Sequence, residues 1–246
     1  EIAGGFFRAK RAGGTTENRG GESTLGNLVA EAQRWATGAD VAFMNPGGLR
    51  ADMVGLQDTD PETPPAFPTT LTYKQAASVQ PFANTLVEMT LTGAQIEAVL
   101  EQQWQPEGSS RPFLRLGASE GFEYTYDAAA KEVTGMWLAG KPVVDDQNYS
   151  VTVNSFLSTG GDIFTVFADG TSRRDTGRID LNAMVDFMAE YAGDAALPVD
   201  YSQRAVGATF PAEAPESYAA GDTVAFELSS LAMSAPADVK DDEVEV

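Results

Sequence analysis

The chain has 246 residues, enough for one large domain with an appendage, and its 43% hydrophobic and 21% charged residues are those of a globular protein. Its 36 Asp and Glu against 16 Lys and Arg give a formal charge of −20, which repels nucleic-acid backbones and anionic membranes, so no nucleic acid polymer is expected as a partner. Cys and His are both absent, which excludes disulfides, thiolate nucleophiles, Ser-His-Asp triads and His-bearing metal sites. Catalysis by these residues alone would fall to carboxylates, Lys or Tyr. No apolar run approaches the roughly 20 residues that span a bilayer, so no membrane insertion is expected. The start at Glu1, without an initiator Met or a signal-peptide pattern, reads as a piece of a longer precursor.

Residues 1–21 are Gly-rich and mildly basic (Arg8, Lys10, Arg11, Arg19) and read as a lead-in linker. From Ser23 a helix is predicted, with Ser23 or Thr24 as its cap, Leu25, Leu28, Val29, Ala32, Trp35 and Ala36 on one face, and Gly38 as its stop. Val41 to Met44 is a short apolar strand that runs into Asn45-Pro46-Gly47-Gly48-Leu49-Arg50. Residues 55–70 carry Pro61, Pro64, Pro65 and Pro68 and are expected as a surface loop. Leu71 to Val79 suggests a strand end and a short helix stopped by Pro81. Thr85 to Leu91 alternates, with Val87, Met89 and Leu91 on one face; Thr92 and Gln95 then form a capping box for a helix with Ile96, Val99, Leu100 and Trp104 on its apolar stripe.

Phe122, Tyr124 and Tyr126, then Val133 to Leu138, a turn at Gly140-Lys141, and Tyr149 to Val153 read as an antiparallel meander. A last helix is predicted from Asp180, as its N-cap, through Met184, Val185, Met188 and Tyr191. Helices mixed with antiparallel strands indicate an α+β domain over residues 22–210. Residues 211–246 hold nine acids against Lys240 alone, with Val224, Phe226 and Leu228 alternating. They read as an acidic linker and the start of a truncated β module, dispensable for folding. The acids at Asp145-Asp146 and from Asp241 to Glu245 lack calcium-loop spacing and are expected as solvated surface.

Three Gly- or Pro-marked loops leave these elements: Asn45 to Arg50, Gln80 to Thr85, and Asn154 to Asp162. Between them they supply Phe82 and Phe156, Arg50, Asp162, and Asn45, Asn84 and Asn154. Two aromatic faces can clamp a planar ring, each contact contributing about 1–3 kcal/mol in single-stranded nucleic-acid binders. An Asn amide offers a donor and an acceptor to a base edge, a carboxylate accepts from vicinal ribose hydroxyls, and a guanidinium binds sugar or phosphate oxygens. The set fits a nucleoside or nucleotide. Taken singly, Arg50 also reads as a surface ion pair, Phe82 and Phe156 as core, and Asn45 as a turn residue.

The runs E-S-T-L-G-N-L-V-A-E-A from Glu22, T-G-A-D-V-A-F-M-N-P-G-G-L-R-A-D from Thr37, V-Q-P-F-A-N-T-L from Val79, L-T-G-A-Q-I from Leu91 and N-S-F-L-S-T-G-G-D from Asn154 resemble the C-terminal domain of the 5′-nucleotidases. The resemblance covers about Glu22 to Phe167, and its wording is similar to actinobacterial secreted members. It implies a four-layer α+β fold, a secreted or cell-surface protein, and a division of labour. A preceding metallophosphatase domain, this chain's own N-terminal catalytic partner, would hold two divalent metal ions and hydrolyse the phosphate ester, while this chain binds the nucleotide or nucleoside and holds no cofactor. Carried over by position, Phe82 and Phe156 would sandwich the base, Asn45 and Asn84 meet its edge, Asp162 accept from the ribose, and Arg50 contact ribose or phosphate. No catalytic residue or metal ligand is expected within the chain.

Three departures accompany the resemblance. Gly20 and Gly21 stand where the family often has Arg, with Arg19 displaced; Ala83 replaces Gly in P-F-G-N; and Ile163 replaces Gly after G-G-D. The two lost glycines, with the acidic C-terminal extension, leave a rival reading, a non-catalytic ligand-binding or adhesion module.

Overall fold

In a computed structural model, the structure describes residues 1–8, 11–12, 16–57, 63, 66–215, 217–233, 235 and 238–240. Lys10, Pro61, Pro64, Pro65, Glu216 and the terminal acids Asp241, Asp242, Glu243 and Glu245 lie outside the described residues. In chain order the elements are β1 (Ile2–Ala3), β2 (Arg11–Ala12), β3 (Thr16–Glu17), α1 (Thr24–Thr37), β4 (Val41–Met44), α2 (Tyr73–Val79), β5 (Thr85–Thr92), α3 (Gly93–Glu101), β6 (Gly117–Ala118) and β7 (Phe122–Asp127). They continue as β8 (Glu132–Leu138), β9 (Lys141–Pro142), β10 (Asn148–Asn154), α4 (Ser155–Ser158), β11 (Thr171–Ile179), α5 (Asp180–Tyr191), β12 (Leu197–Pro198), β13 (Ala205–Thr209) and β14 (Glu227–Ser229).

The helix signals locate their elements. Ser23 caps α1 by accepting the Gly26 N–H at 2.9 Å, and Gly38 ends it in the left-handed conformation at φ 74°. Thr72 with Gln75, and Thr92 with Gln95, close capping boxes on α2 and α3. Asp180, expected as an N-cap, is instead the first residue of α5, with Ile179 in the cap position. The strand β11, not foreseen in the sequence, leads straight into that helix and leaves no separate turn for Asp180 to cap.

Two five-stranded sheets carry the fold, in the orders β11-β5-β10-β4-β6 and β14-β13-β7-β8-β9. The expected meander is therefore divided. β7, β8 and β9 are successive antiparallel neighbours, but β10 crosses to the other sheet, antiparallel to β5 and parallel to β4. Its burial gives the reason: Val151, Thr152 and Val153 are all buried, so both faces of the strand are covered and it belongs in a sheet interior.

The layers run helix, sheet, helix, sheet. Leu25, Leu28 and Val29 of α1 and Met184 and Phe187 of α5 form one core on the outer face of the first sheet. Ile96, Val99 and Leu100 of α3 lie in a second core shared by Phe43, Val87 and Val153 of the first sheet and Phe122, Tyr124 and Met136 of the second. Full burial of each such Leu, Val or Phe contributes about 1.5–3 kcal/mol.

Both ends of the chain depart from their expected reading. Rather than forming a lead-in linker, β1 pairs in parallel with β12, and Ile2 and Phe7 are buried in the helix-side core. Rather than starting a separate module, β14 extends the second sheet at β13. Tyr126 Oη hydrogen-bonds Ser230 Oγ at 2.7 Å, Met233 and Ala235 are buried, and Arg8 Nε faces Asp238 Oδ1 at 3.5 Å. Apolar side chains at these spacings find uncovered sheet edge and core surface within their own domain.

Candidate functional site

The parallel strands β4 and β10 end side by side, and β5 begins beside β10, so all three chemistry-bearing loops leave one edge of the first sheet. Ligands of open sheets with parallel strands gather outside such carboxyl ends. There a cavity of about 400 Å³ is lined by Arg19, Asn45, Gly47, Gly48, Arg50, Phe82, Asn84, Asn154, Phe156 and Asp162. All six residues singled out in the sequence, Asn45, Arg50, Phe82, Asn84, Phe156 and Asp162, are brought together in it.

Phe82 is 56% exposed and Phe156 45% exposed, which removes the reading of either as core. Phe156 rides on α4, whose first turn is held by Asn154 Oδ1 accepting the Leu157 N–H at 2.9 Å. The loop expected after β10 is thus a helical turn before its glycines. Gly161 is needed for close approach, because a Cβ there would stand 2.5 Å from the Phe156 ring. Arg50 is exposed, donates to the Gly47 carbonyl at 3.3 Å and places its guanidinium 6.0 Å from the Phe82 ring centre, so it caps the aromatic face.

Asn45 is buried, and its Nδ2 donates to Asp162 Oδ2 at 2.7 Å. Asp162 sits at φ 53°, and its carbonyl accepts from Gln105 Nε2 at 3.2 Å. Asn84 Nδ2 donates to Asp180 Oδ2 at 3.3 Å, and Asn84 Oδ1 accepts from Ser155 Oγ at 3.4 Å. Burial pushes the Asp180 carboxyl above its ordinary range, against the Leu181 N–H and Asn84 hydrogen bonds.

Two lining residues lay outside the sequence-predicted set. Arg19 reaches the cavity, with its guanidinium 2.8 Å from the place a Cβ on Gly47 would occupy. The signal was present, an Arg just before the G-N-L run, though offset from the family position. The sequence shows Asn154 as the Asn that opens the third loop, with no ligand role assigned, where an Asn suits a helix cap. With Arg19, Arg50 and Asp162 the lining carries a net positive charge in a chain of formal charge −20.

A larger groove of about 680 Å³ opens at the other end of β4, among Arg34, Asp40, Glu120, Lys141 and Tyr149. Its mixed charges and single ring offer no stacking pair. Among the described residues no group of three or more Asp or Glu stands together to hold a metal.

A model of the family described as 5′-nucleotidase, C-terminal domain, matches residues 5–169. The chain belongs to this family. Among curated proteins it is 36% identical to cell wall protein Lmo0130 of Listeria monocytogenes over 59% of this chain and 18% of that protein. It is 27% identical to protein UshA of Yersinia enterocolitica over 82% of this chain and 33% of that protein, and 32% identical to the trifunctional nucleotide phosphoesterase protein YfkN of Bacillus subtilis over 65% and 11%. The chain thus spans a third or less of the length of these relatives. Among solved structures, a 5′-nucleotidase precursor from Thermus thermophilus superposes with a TM-score of 0.62 at 28% identity, covering 81% of this chain and 37% of that one. The NAD nucleotidase of Haemophilus influenzae shares the fold, with a TM-score of 0.62 at 21% identity over 83% of this chain and 36% of that one.

Proposed function

We propose that this member of the 5′-nucleotidase C-terminal family is the nucleotide-gripping domain of an extracellular 5′-nucleotidase-type phosphohydrolase. The observation that carries the reading is the convergence of two exposed Phe rings, two Arg and one Asp from separate loops on one cavity. Phe82 and Phe156 would stack on the two faces of the base, with Asn84 and Asn45 at its edge. Asp162 would accept from the ribose hydroxyls, and Arg50 and Arg19 would draw the phosphate toward the mouth of the cavity. The family resemblance implies two divalent metals for the hydrolysis, and the donor set of this chain does not fit them, because it has no His or Cys and no such carboxylate group among the described residues. That chemistry would belong to a preceding domain. Since Ile2 and Phe7 are packed into this one, the connecting hinge would lie ahead of Ile2. A secreted or surface location draws support from the cell wall relative.

A second reading, a recognition or adhesion module without turnover, is favoured by Ala83 and Ile163. Both hold positive φ, 53° and 67°, where the resemblance has glycine, so their loops are stiffer and conformationally strained. An upstream D-x-H and G-N-H-[DE] pattern in the full-length gene supports the enzyme; its absence supports the module.

Calorimetric titration of adenosine tests the grip. Phe82→Ala or Phe156→Ala should weaken binding by about 1–3 kcal/mol, roughly 5- to 150-fold, while melting temperatures hardly move because neither ring is buried. A wild type that binds no nucleoside at millimolar concentration, together with destabilised Phe variants, would remove the clamp.

A further inference from the structure

At the floor of the cavity three side chains are joined in series. Asn154 Nδ2 donates to Asn45 Oδ1 at 3.0 Å, and Asn45 Nδ2 donates to Asp162 Oδ2 at 2.7 Å. Asn154 and Asn45 are 1% and 2% exposed, so water does not compete for these bonds. The direction of the series is set at its start. Asn154 Oδ1 already accepts the Leu157 N–H at 2.9 Å, a bond an NH₂ group could not make, so its nitrogen must turn toward Asn45. Asn45 is thereby obliged to present oxygen to Asn154 and nitrogen to Asp162. One oxygen of the carboxylate is engaged, and among the described residues none donates to the other, Oδ1.

We infer that Asn154 is a positioning residue which, through Asn45, orients the Asp162 carboxylate and so sets the preference of the cavity for ligands bearing vicinal hydroxyls. The inference rests on the nucleoside reading above. It gives Asn45 a principal task beneath the ligand, with one N–H and one lone pair left to meet it.

Two substitutions separate this role from general support. Asn154→Asp keeps an acceptor for the Leu157 N–H but has no donor when ionised. Asn45 would then turn its nitrogen to the new carboxylate and its oxygen to Asp162, setting acceptor against acceptor. Asn154→Ser keeps a capping hydroxyl, is too short to reach Asn45 and buries no charge, so it carries the test if the carboxylate prevents folding. Calorimetry on the whole chain would compare adenosine with 2′,3′-dideoxyadenosine, beside circular dichroism of each variant. The wild type should prefer adenosine by about tenfold or more, the scale of a hydrogen bond to a charged group. Both variants should lose most of that preference, adenosine weakening several-fold more than the dideoxy analogue, which shares only the Asn45 contact at the base edge. Equal weakening of the two nucleosides, an unchanged preference, or a wild type that binds both alike would overturn the inference and leave the clamp standing. A wild type that binds neither overturns the nucleoside reading, and this inference with it.

Discussion

At Asp180 one carboxyl serves both a helix and the site. Its Oδ1 accepts the Leu181 N–H at 2.7 Å and its Oδ2 accepts the Asn84 amide at 3.3 Å, so it sets how Asn84 is held at the cavity. Burial raises its pKa above the ordinary 3.8, outweighing these hydrogen bonds. A raised folded-state pKa means that the folded chain binds the proton more tightly than the unfolded one. The ionised group therefore costs stability above its folded pKa, and the cost fades as pH falls through that value toward 3.8. Asp180→Asn removes the titration. Urea unfolding of both proteins from mildly alkaline to mildly acidic pH should show the stability difference moving in favour of the wild type as pH falls. A difference that stays constant would mean that the carboxyl titrates alike in the folded and unfolded chains.

At the scale of elements, the decisive events are pairings between distant segments. The tail is an example, for composition alone suggested that it could be removed. Thr209 pairs with Glu227 and Gly207 with Ser229, and beyond that strand Met233 is 1% exposed. A chain ending at Phe210 would uncover β13 and the surface under Met233. Burial of one Met contributes about 1.5–3 kcal/mol, so at roughly 2–4 °C per kcal/mol for a domain of this size truncation should lower the melting temperature by about 3–12 °C. Equal melting curves for the two lengths would show that β14 and Met233 contribute nothing. β10 makes the same point from inside the sheet. Its Tyr-x-Val-x-Val alternation suits a half-covered strand, yet α1 covers the second face, where Thr37 Oγ1 meets Thr152 Oγ1 at 2.8 Å.

For the molecule as a whole, a strongly anionic chain carries a cationic mouth at one sheet edge. The proposed grip would combine long-range repulsion of polyanions with local attraction for a small anion. The proposed division of labour predicts that this chain alone does not turn nucleotides over. AMP, UDP-glucose and a chromogenic phosphodiester, each with added Mn²⁺ or Zn²⁺, should remain intact beside the pure protein. Metal-dependent release of phosphate or phenolate would show that hydrolysis needs no second domain.

The sequence by itself determined α1, α2, α3 and α5, though not the turn α4, because caps, capping boxes and terminal glycines act within a few residues: Ser23, Thr72, Thr92 and Gly38 each do what their neighbours require. It also indicated the α+β class and the loops that carry the six candidate site residues, since strand ends followed by Gly, Pro and Asn mark turns. Tertiary structure alone decided which strand joins which sheet, why both chain ends belong to the body, and that Arg19 and Asn154 line the cavity. Strand partners depend on which faces are already covered, as with β10. The place of Arg19 depends on a backbone bond from Arg115 N–H to its carbonyl at 2.8 Å, a contact between residues far apart in the chain. Local hydrogen bonding is written in adjacent residues, whereas burial is a property of the assembled layers and becomes visible only when they close.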